Sequence, residues 1–418
     1  MGLFGLFGRK DEYADSGVVL DIGTAFVKAL IFQVKDEKAS VIGVGRAAQK
    51  LTDMTGGAVS DIAGVLKNCE RALEQAASQA GFLPTQTIMG IAGELVKGTK
   101  TTVAHTRPDP KAKIDLAELK QIISQLQQEA FESARRELAL ETGHDELDVR
   151  LVHAAVVDVR IDGYKVSNPL GFQGREVEIG VFNVFAPIIH LGALQTVADD
   201  LDLDLLSIVA QPYAVARAQG PEVGTEYSAI FIDIGGGTTD IAVVRNGGLE
   251  GTKMFALGGR AFTKRLAAVL GTSFSEAEEI KLAYSAGTLT DGREEKVKKA
   301  LADDAEVWLS GVELTLSEFE GQDHLPSRIL LCGGGSGLPE ITKLLKTKDW
   351  AKRLPFARQP TVHFLQPKDV ARVEDETGQL RDPADLTPMG MANLAIELIG
   401  EEPVMEGILA KVVQGLRR

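Results

Sequence analysis

The chain has 418 residues, of which 44% are apolar and 25% charged, and this composition excludes a disordered or fibrous protein. Such a length exceeds a single core, so two or more packed units are expected. The net charge is 45 basic minus 59 acidic residues, or −14. Nucleic acid is therefore not an expected partner, because an acidic surface repels phosphate backbones. Only two cysteines, far apart in sequence, indicate a reducing cytoplasm.

The N-terminal segment, Met1–Gly8, is rich in Leu and Phe, and Arg9 and Lys10 follow it. Positive charge after the apolar run is the wrong order for a secretory signal. No stretch reaches the ~20 apolar residues that a membrane span needs. We therefore expect a cytoplasmic chain, in which the N-terminal Leu and Phe residues are a candidate contact for a membrane or a partner.

Two segments share one strand–turn–strand pattern. Val18–Phe32 and Ala229–Val244 each begin with an apolar strand, continue through Asp-Ile-Gly and a turn of small residues, and end in a second apolar strand. Asp21 and Asp233 are the equivalent aspartates of the two copies. The duplication predicts two similarly built lobes that face each other. A third glycine block, within Arg328–Leu345, follows another apolar strand.

Helices with a 3.6-residue periodicity lie between the glycine turns. They are predicted at Ile62–Gly81, Asp115–Leu140, Ile188–Leu201 and Ser275–Tyr284. Ser275 and Glu278 fit a capping box at the last of these. Thr101–Ile114 and Ala286–Lys299 are expected to be exposed connections. Strands that alternate with helices indicate an α/β architecture.

The two Asp-x-Gly turns have the chemistry of a phosphate site. Successive backbone N–H groups in such turns bind anions, and glycine lets a phosphate approach the backbone closely. Thr24, Thr238 and Thr239 add hydroxyl donors. Two carboxylates, Asp21 and Asp233, suit Mg²⁺, which takes few protein ligands and keeps most of its waters. The alternative is that both turns are hairpins whose glycines serve only the turn geometry.

The motifs DIGT, DIGGGTTD and CGGGSGLPEI, with a closing helix after Pro388-Met389-Gly390, resemble those of the actin/heat-shock-chaperone/hexokinase ATPase superfamily. The resemblance implies an α/β, two-lobed actin-like ATPase fold of duplicated ribonuclease-H-like domains that holds ATP and Mg²⁺ between two phosphate hairpins. By position it implies a first loop of Asp21, Gly23, Thr24 and Lys28, a second loop of Asp233, Gly235, Gly236, Gly237, Thr238 and Asp240, and an adenosine loop of Gly333, Gly334 and Gly335.

Three further residues acquire candidate roles from the same resemblance. Glu278 and Lys281 match the adenine–ribose helix of the superfamily, although an exposed i,i+3 ion pair would give the same spacing. Gln211 corresponds to the residue that positions the attacking water, and it could equally be a helix-starting residue before Pro212. Together with Asp21 and Asp233, Gln211 completes the predicted catalytic set. The resemblance implies at most weak ATPase activity.

Within the superfamily, the stretch GGAVSDIAGVLKNCERALEQAASQAG and the segment Arg150–Val181 resemble the bacterial cell-division protein FtsA. The resemblance implies an inserted α+β subdomain. The expected divisions are a tail at 1–15, lobe I at 16–86, the insert at 87–174, more of lobe I at 175–227, the core of lobe II at 228–259, a small subdomain at 260–322, more of lobe II at 323–385, a closing helix at 386–400 and a C-terminal helix at 401–418. The segment Leu270–Leu325 is short for the partner-binding subdomain of FtsA.

The C-terminal segment is strongly amphipathic. Its apolar residues fall on one half of a helical wheel, namely Val404, Met405, Ile408, Leu409, Val412, Val413 and Leu416. Lys411, Arg417 and Arg418 lie on the other half. The core of the protein, a groove on a partner or an anionic bilayer surface could cover the apolar half.

The resemblance to FtsA implies a filament-forming scaffold, peripheral at the inner face of the cell membrane, with a tubulin-like division protein and other divisome components as partners. A PilM-like platform of type IV pilus assembly has the same layout and an early lysine that resembles Lys28. A sugar or acetate kinase is a third reading, for which no clear substrate carboxylate is present.

Overall fold

A computed structural model describes residues 15–143, 148–219, 227–290, 292–319, 324–347 and 349–399. The chain begins with a β-meander, a helix and a parallel strand, and the short strands β4 and β5 pair only with each other. These elements are β1 (Ser16–Ile22), β2 (Phe26–Lys35), β3 (Lys38–Ala48), β4 (Met54–Thr55), β5 (Ala58–Val59), α1 (Ile62–Ala80) and β6 (Gln86–Ile91).

An inserted layer follows, in which one long helix covers an antiparallel sheet. Its elements are β7 (Lys97–Thr106), α2 (Leu116–Thr142), β8 (Val149–Ile161), β9 (Tyr164–Lys165) and β10 (Glu176–Pro187). The chain then returns to the first lobe through α3 (Ile188–Asp200), β11 (Asp204–Ala210) and α4 (Gln211–Arg217).

The second lobe repeats the strand plan of the first, with three helices rather than one between its third and fourth strands. Its elements are β12 (Ala229–Ile234), β13 (Thr239–Arg245), β14 (Gly248–Phe255), α5 (Gly259–Leu270), α6 (Phe274–Ser285), α7 (Glu294–Ser317), β15 (Arg328–Cys332), α8 (Pro339–Leu345) and β16 (Thr361–Phe364). The chain then crosses back to lobe I, where β17 (Val373–Asp375) pairs with β3 and α9 (Leu386–Ile399) closes the described structure.

The strand order confirms the predicted duplication. Lobe I has the order β11-β6-β1-β2-β3-β17, and lobe II has β16-β15-β12-β13-β14 within a larger sheet. In each lobe, three antiparallel strands are followed by two parallel ones. The apolar strands are buried because helices and the opposite lobe cover them.

Several helix limits agree with the sequence prediction, and their physical basis is visible. In α1, the side chain of Asp61 accepts a hydrogen bond from the Gly64 N–H at 3.1 Å, and Gly81 ends the helix with φ +81°. Asp115 and Gly143 have the same roles in α2. In α6 the predicted cap was wrong: Ser273, rather than Ser275, accepts from the Glu276 N–H at 3.2 Å.

The predicted connections need correction. Residues 97–106 form β7 and pair with β10 along its length, so residues 101–106 of the connection expected at Thr101–Ile114 are strand. Residues 294–299, expected to belong to a connection, form the first turns of α7. Both segments are rich in polar residues, so neither has a clear apolar pattern. Each is ordered by contacts with residues that are distant in the sequence.

The expected boundaries of the insert also shift. Residues 86–91 form β6, a strand of the lobe I sheet, and residues 176–187 form β10, which pairs with β7 and β8. The inserted layer therefore runs from β7 to β10. Its sheet continues that of lobe II, because β7 pairs with β14 through Thr99–Gly251 and Gly98–Thr252.

Within the small subdomain expected at 260–322, the described residues form α5, α6 and α7. Among the described residues, no helix is long and apolar enough to span a bilayer. The expected tail at residues 1–14 and the C-terminal helix at 401–418 lie outside the part of the chain that the structure describes.

Candidate functional site

The two glycine hairpins meet tip to tip between the lobes. Each turn is closed by a backbone hydrogen bond, from Gly23 to the Phe26 carbonyl at 3.0 Å and from Gly235 to the Thr238 carbonyl at 2.9 Å. A Cβ placed on Gly236 would lie 2.6 Å from the Cβ of Ala25, and one on Gly237 would lie 2.6 Å from the Cγ2 of Thr24. The tips are therefore in contact, and a polyphosphate can lie between them only after they separate.

Asp21, Lys28 and Gln211 come together on the lobe I side of this contact. Asp21 and Lys28 are direct partners in the β1–β2 register, and their Oδ2 and Nζ atoms lie 3.6 Å apart. Nε2 of Gln211 donates to Oδ1 of Asp21 at 2.7 Å. Burial raises the pKa of Asp21; Lys28 opposes the rise, and the charge of Asp233 adds to it. Gln211 also begins α4 with Pro212 beside it, so both sequence interpretations fit its position.

The second hairpin contributes two more buried carboxylates. Oδ2 of Asp233 accepts a hydrogen bond from Oγ1 of Thr387 at 2.6 Å, and burial raises the pKa of Asp233. Asp240 is the register partner of Asp233 and accepts from Oγ1 of Thr238 at 3.1 Å. Burial, assisted by the charge of Asp233, raises the pKa of Asp240 to about 7. The cationic side chains of the site therefore neutralise only part of the negative charge that these carboxylates carry when ionised.

This donor set fits a magnesium–phosphate ligand. The described residues contain no group of three or more His, Cys, Asp or Glu side chains arranged as a metal cage. A pair of carboxylates facing a polyphosphate is nonetheless the usual protein contribution to Mg²⁺, whose other ligands are water and phosphate oxygens. Asp21 and Asp233 are the residues that would hold it, and Lys28 would neutralise a phosphate oxygen.

Lys281 and Glu278 form a buried structural cluster. Nζ of Lys281 donates to the Gly259 carbonyl at 3.1 Å, to Oγ1 of Thr263 at 2.9 Å and to Oε2 of Glu278 at 2.8 Å. Its three donors are therefore used inside lobe II, and the i,i+3 pair is buried on the lysine side rather than exposed. The cluster fixes the first turn of α5 against α6, directly behind the second hairpin.

Thr239 does not present a free hydroxyl to the site. Its Oγ1 donates to the Leu257 carbonyl at 2.7 Å and accepts from Nε1 of Trp308 at 2.9 Å, in the core of lobe II. Because side chains alternate along a strand, Asp240 and Thr239 point to opposite faces of β13. Thr239 thus supports the hairpin from behind, in contrast to its predicted role as a phosphate donor.

The third glycine block packs directly on the second hairpin. Gly333 has φ +80°, and a Cβ there would lie 2.1 Å from Oδ1 of Asp233. A Cβ on Gly335 would lie 2.4 Å from Cγ2 of Ile234, whereas Gly334 is exposed. The block is therefore placed beside the phosphate hairpins, and only glycine is compatible with the approach of Gly333 to the carboxylate.

The turn before α9 belongs to the site and was not predicted from the sequence. The Pro383 carbonyl accepts from the Gly333 N–H at 3.1 Å, and the Ala384 carbonyl accepts from Nζ of Lys28. With Thr387 on Asp233, this short stretch contacts both lobes at the base of the cleft. Asp382 and Asp385 form a capping box there, and that spacing is the sequence signal that could have identified the turn.

The duplicated lobes, the facing phosphate hairpins and the inserted layer define an actin-like ATPase fold. A solved structure titled PilM-PilN type IV pilus biogenesis complex has a chain that matches with a TM-score of 0.64 over 91% of this chain and 98% of its own length. Its sequence is 16% identical, so this likeness concerns the fold alone.

The sequence comparisons agree on one family. A family model described as cell division protein FtsA matches residues 230–390. Cell division protein FtsA of Bacillus subtilis is 22% identical over 90% of this chain and 83% of its own length. FtsA of Pseudomonas aeruginosa is 27% identical over 78% of this chain and 79% of its own. The chain is thus similar in sequence to the cell-division protein FtsA.

Proposed function

We propose that this chain binds ATP with Mg²⁺ between its lobes and acts as an actin-like scaffold of cell division. In this proposal it links a tubulin-like division protein to the cytoplasmic face of the membrane and assembles into filaments, with at most weak ATPase activity. The similarity to FtsA over most of the chain supports the division role. The observation that carries nucleotide binding is the meeting of two glycine hairpins around the buried carboxylate of Asp21 and the partly buried carboxylate of Asp233.

Different groups of the site would bind different parts of a magnesium–triphosphate ligand. Hairpin N–H groups would donate to phosphate oxygens, and Lys28 would neutralise part of their charge. Asp21 and Asp233 would hold Mg²⁺, which would add charge neutralisation when bound. Gln211 already touches Asp21, and from there its amide would orient a water, the positioning that most phosphoryl transfer requires.

A thermal-shift measurement tests nucleotide binding. ATP with Mg²⁺ should raise the melting temperature of the wild type, because a ligand of the native state stabilises it by mass action. Asp233→Ala should abolish that shift by removing a metal-side carboxylate. Asp303→Ala, at an exposed position on α7, is the matched control and should keep it. An Asp233→Ala protein with a full shift would show that the second hairpin is only structural.

The membrane link rests on the sequence of the C-terminal segment. Ile408→Glu with Val412→Glu puts two charges into the apolar half of that segment. If the segment binds anionic lipid, the double variant should keep its melting temperature and its response to ATP but should no longer float with anionic vesicles. A sharp loss of stability, without flotation of the wild type, would instead assign the segment to the protein core, since buried unpaired carboxylates are costly.

A pilus-assembly platform is the second candidate, favoured by the TM-score of 0.64 to a chain of a pilus biogenesis complex. The two functions differ in their partners. Affinity purification from the native cell should recover a tubulin-like division protein under the first proposal. Recovery of pilus proteins without any division protein would replace it with the second.

A further inference from the structure

One arginine crosses the mouth of the cleft, and none of the roles described above uses it. Arg260 lies in the first turn of α5, in lobe II, and its Nη2 donates to the Gln49 carbonyl at 2.8 Å and the Lys50 carbonyl at 3.2 Å. Gln49 and Lys50 directly follow β3, in lobe I. A single guanidinium therefore joins the lobes beside the phosphate hairpins.

Each end of this connection is tied to one hairpin. On the lobe II side, the backbone N–H of Arg260 donates to the Gly236 carbonyl at 2.7 Å. On the lobe I side, the N–H of Gln49 donates to the Ala25 carbonyl at 2.9 Å. The two tips that must separate to admit a polyphosphate are thus connected through Arg260.

The loop that receives the guanidinium is rigid. Asp53 is buried, and its Oδ2 accepts from the Lys50 N–H at 2.8 Å and from Nδ2 of Asn68 at 2.9 Å. Asn68 also donates to Oε1 of Gln49 at 2.6 Å. Because these bonds hold the Gln49 and Lys50 carbonyls in place, opening the cleft must break the bonds to Arg260 rather than deform the loop.

Local charges favour an arginine at this position. Burial lowers the pKa of Arg260, and the charges of Asp53 and Glu278 oppose that change. A guanidinium keeps its proton at neutral pH even when partly buried, and here its Nη2 donates to two adjacent carbonyls.

We propose that Arg260 is an interlobe latch, a positioning residue that holds the two hairpin tips together and slows the entry of nucleotide. The proposal rests on nucleotide binding in the cleft. It assigns to α5 a control of how readily a nucleotide enters, separate from the residues that would contact its phosphates.

The rate at which a fluorescent ATP analogue, mant-ATP with Mg²⁺, binds in stopped flow tests the latch. Arg260→Ala should speed binding about tenfold, the change that ~1.4 kcal/mol of lost closing energy produces. Arg260→Lys, which keeps the charge on a different head group, should fall between that variant and the wild type. Arg265→Ala is the matched control, because Arg265 lies on the same helix and pairs with Asp304 inside lobe II at 3.7 Å.

A distance measurement without nucleotide separates the latch from the proposed function. Cys69 and Cys332 are buried, so spin labels can be directed to Ser78→Cys on α1 and Ser310→Cys on α7, both exposed. Arg260→Ala should broaden the interlobe distance distribution, and Arg265→Ala should not. An unchanged binding rate together with an unchanged distribution would overturn the latch. A wild type that fails to bind mant-ATP would overturn nucleotide binding, and the distance measurement would then decide the latch alone.

Discussion

At the level of single residues, burial controls the ionisation of the carboxylates in the cleft. The pKa values of Asp21, Asp233 and Asp240 are all raised, in each case chiefly because burial disfavours the charged form. A carboxyl with a raised native pKa binds more protons in the folded than in the unfolded state. Its contribution to the free energy of unfolding therefore falls as the pH rises from the ordinary pKa to the native one. A cation bound beside these carboxylates would favour their ionised form and so lower their pKa values.

Asp240 provides the sharpest test, because its pKa moves from an ordinary 3.8 to about 7. Between these values the protein should lose stability with rising pH, and Asp240→Asn should remove part of that loss while still accepting from Thr238. Melting curves at about pH 5 and about pH 8 measure the effect. Asp303→Asn, at an exposed position on α7, is the control. An equal slope in the wild type and in Asp240→Asn would contradict the assignment.

The site residues that lie within a sequence motif could be predicted from the sequence. Those that come from distant segments of the chain could not. Asp21 and Lys28 were recognisable because both lie in one hairpin, where the register alone makes them partners. Thr387 and Arg260 reach the site from chain segments far from either hairpin. Thr239 was misjudged because a hydroxyl in a motif says nothing about which face of the strand it occupies, and here that face is the core.

At the level of elements, the contact of α1 with β3 depends on two glycines. A Cβ on Gly43 would lie 2.3 Å from the Ala76 carbonyl oxygen, and one on Gly45 would lie 1.8 Å from that of Ala72. This close approach lets α1 protect the edge of β3. The amide of Gln79 bonds both the N–H and the carbonyl of Val44, at 3.1 and 2.9 Å. Glutamine side chains thus take the place of a neighbouring strand beyond the end of β17.

Gly45→Ala tests this packing. The added methyl group meets backbone, which cannot move aside cheaply, so the variant should lose about 3 kcal/mol of unfolding free energy. Gly192→Ala, in α3, is the matched control, because a Cβ there meets nothing within 4 Å. It should be neutral or more stable by up to about 1 kcal/mol, as expected for alanine in a helix. Chemical denaturation of both variants gives the comparison, and a Gly45→Ala protein as stable as the control would refute the tight contact.

Elements with strong local signals were predictable, and those defined by their partners were not. The limits of α1 follow from a capping aspartate, a clean apolar stripe and a final glycine. β7 has no such pattern: only Gly98 and Val103 are buried along it. It is a strand because β10 pairs with it from residue 97 to residue 106. The edge of the insert was misplaced for the same reason.

For the whole molecule, the duplication visible in the sequence correctly gave two lobes, but the joining of the insert to lobe II could not be read from it. That join consists of two residue pairs between β7 and β14, and neither strand signals its partner. A groove of about 790 Å³ lies beside it, with Lys97, Thr99, Glu137, Glu250 and Lys253 among its lining residues. The sheet is therefore continuous from lobe II into the inserted layer, although the backbone contact that makes it so is short.

The proposed scaffold role predicts assembly. With ATP, Mg²⁺ and anionic vesicles, the protein should sediment as open filaments, since head-to-tail contacts between identical copies do not close. Asp233→Ala should prevent this if nucleotide binding is required, while Asp303→Ala should not. Sedimentation of the wild type as a monomer alone, at high protein concentration under these conditions, would defeat the filament proposal.

Helix α9 starts at the base of the cleft and sets a fixed distance between the cleft and its own C-terminal end. Thr387, in its first turn, bonds Asp233, and the helix continues for 14 residues to Ile399, a rise of roughly 21 Å. Leu386, Met389 and Met391 are buried, so the rod is seated in lobe I. The amphipathic C-terminal sequence begins a few residues later. The C-terminal end of α9 is thereby held at one distance from the carboxylates, and a displacement of Asp233 would be transmitted to this helix through Thr387.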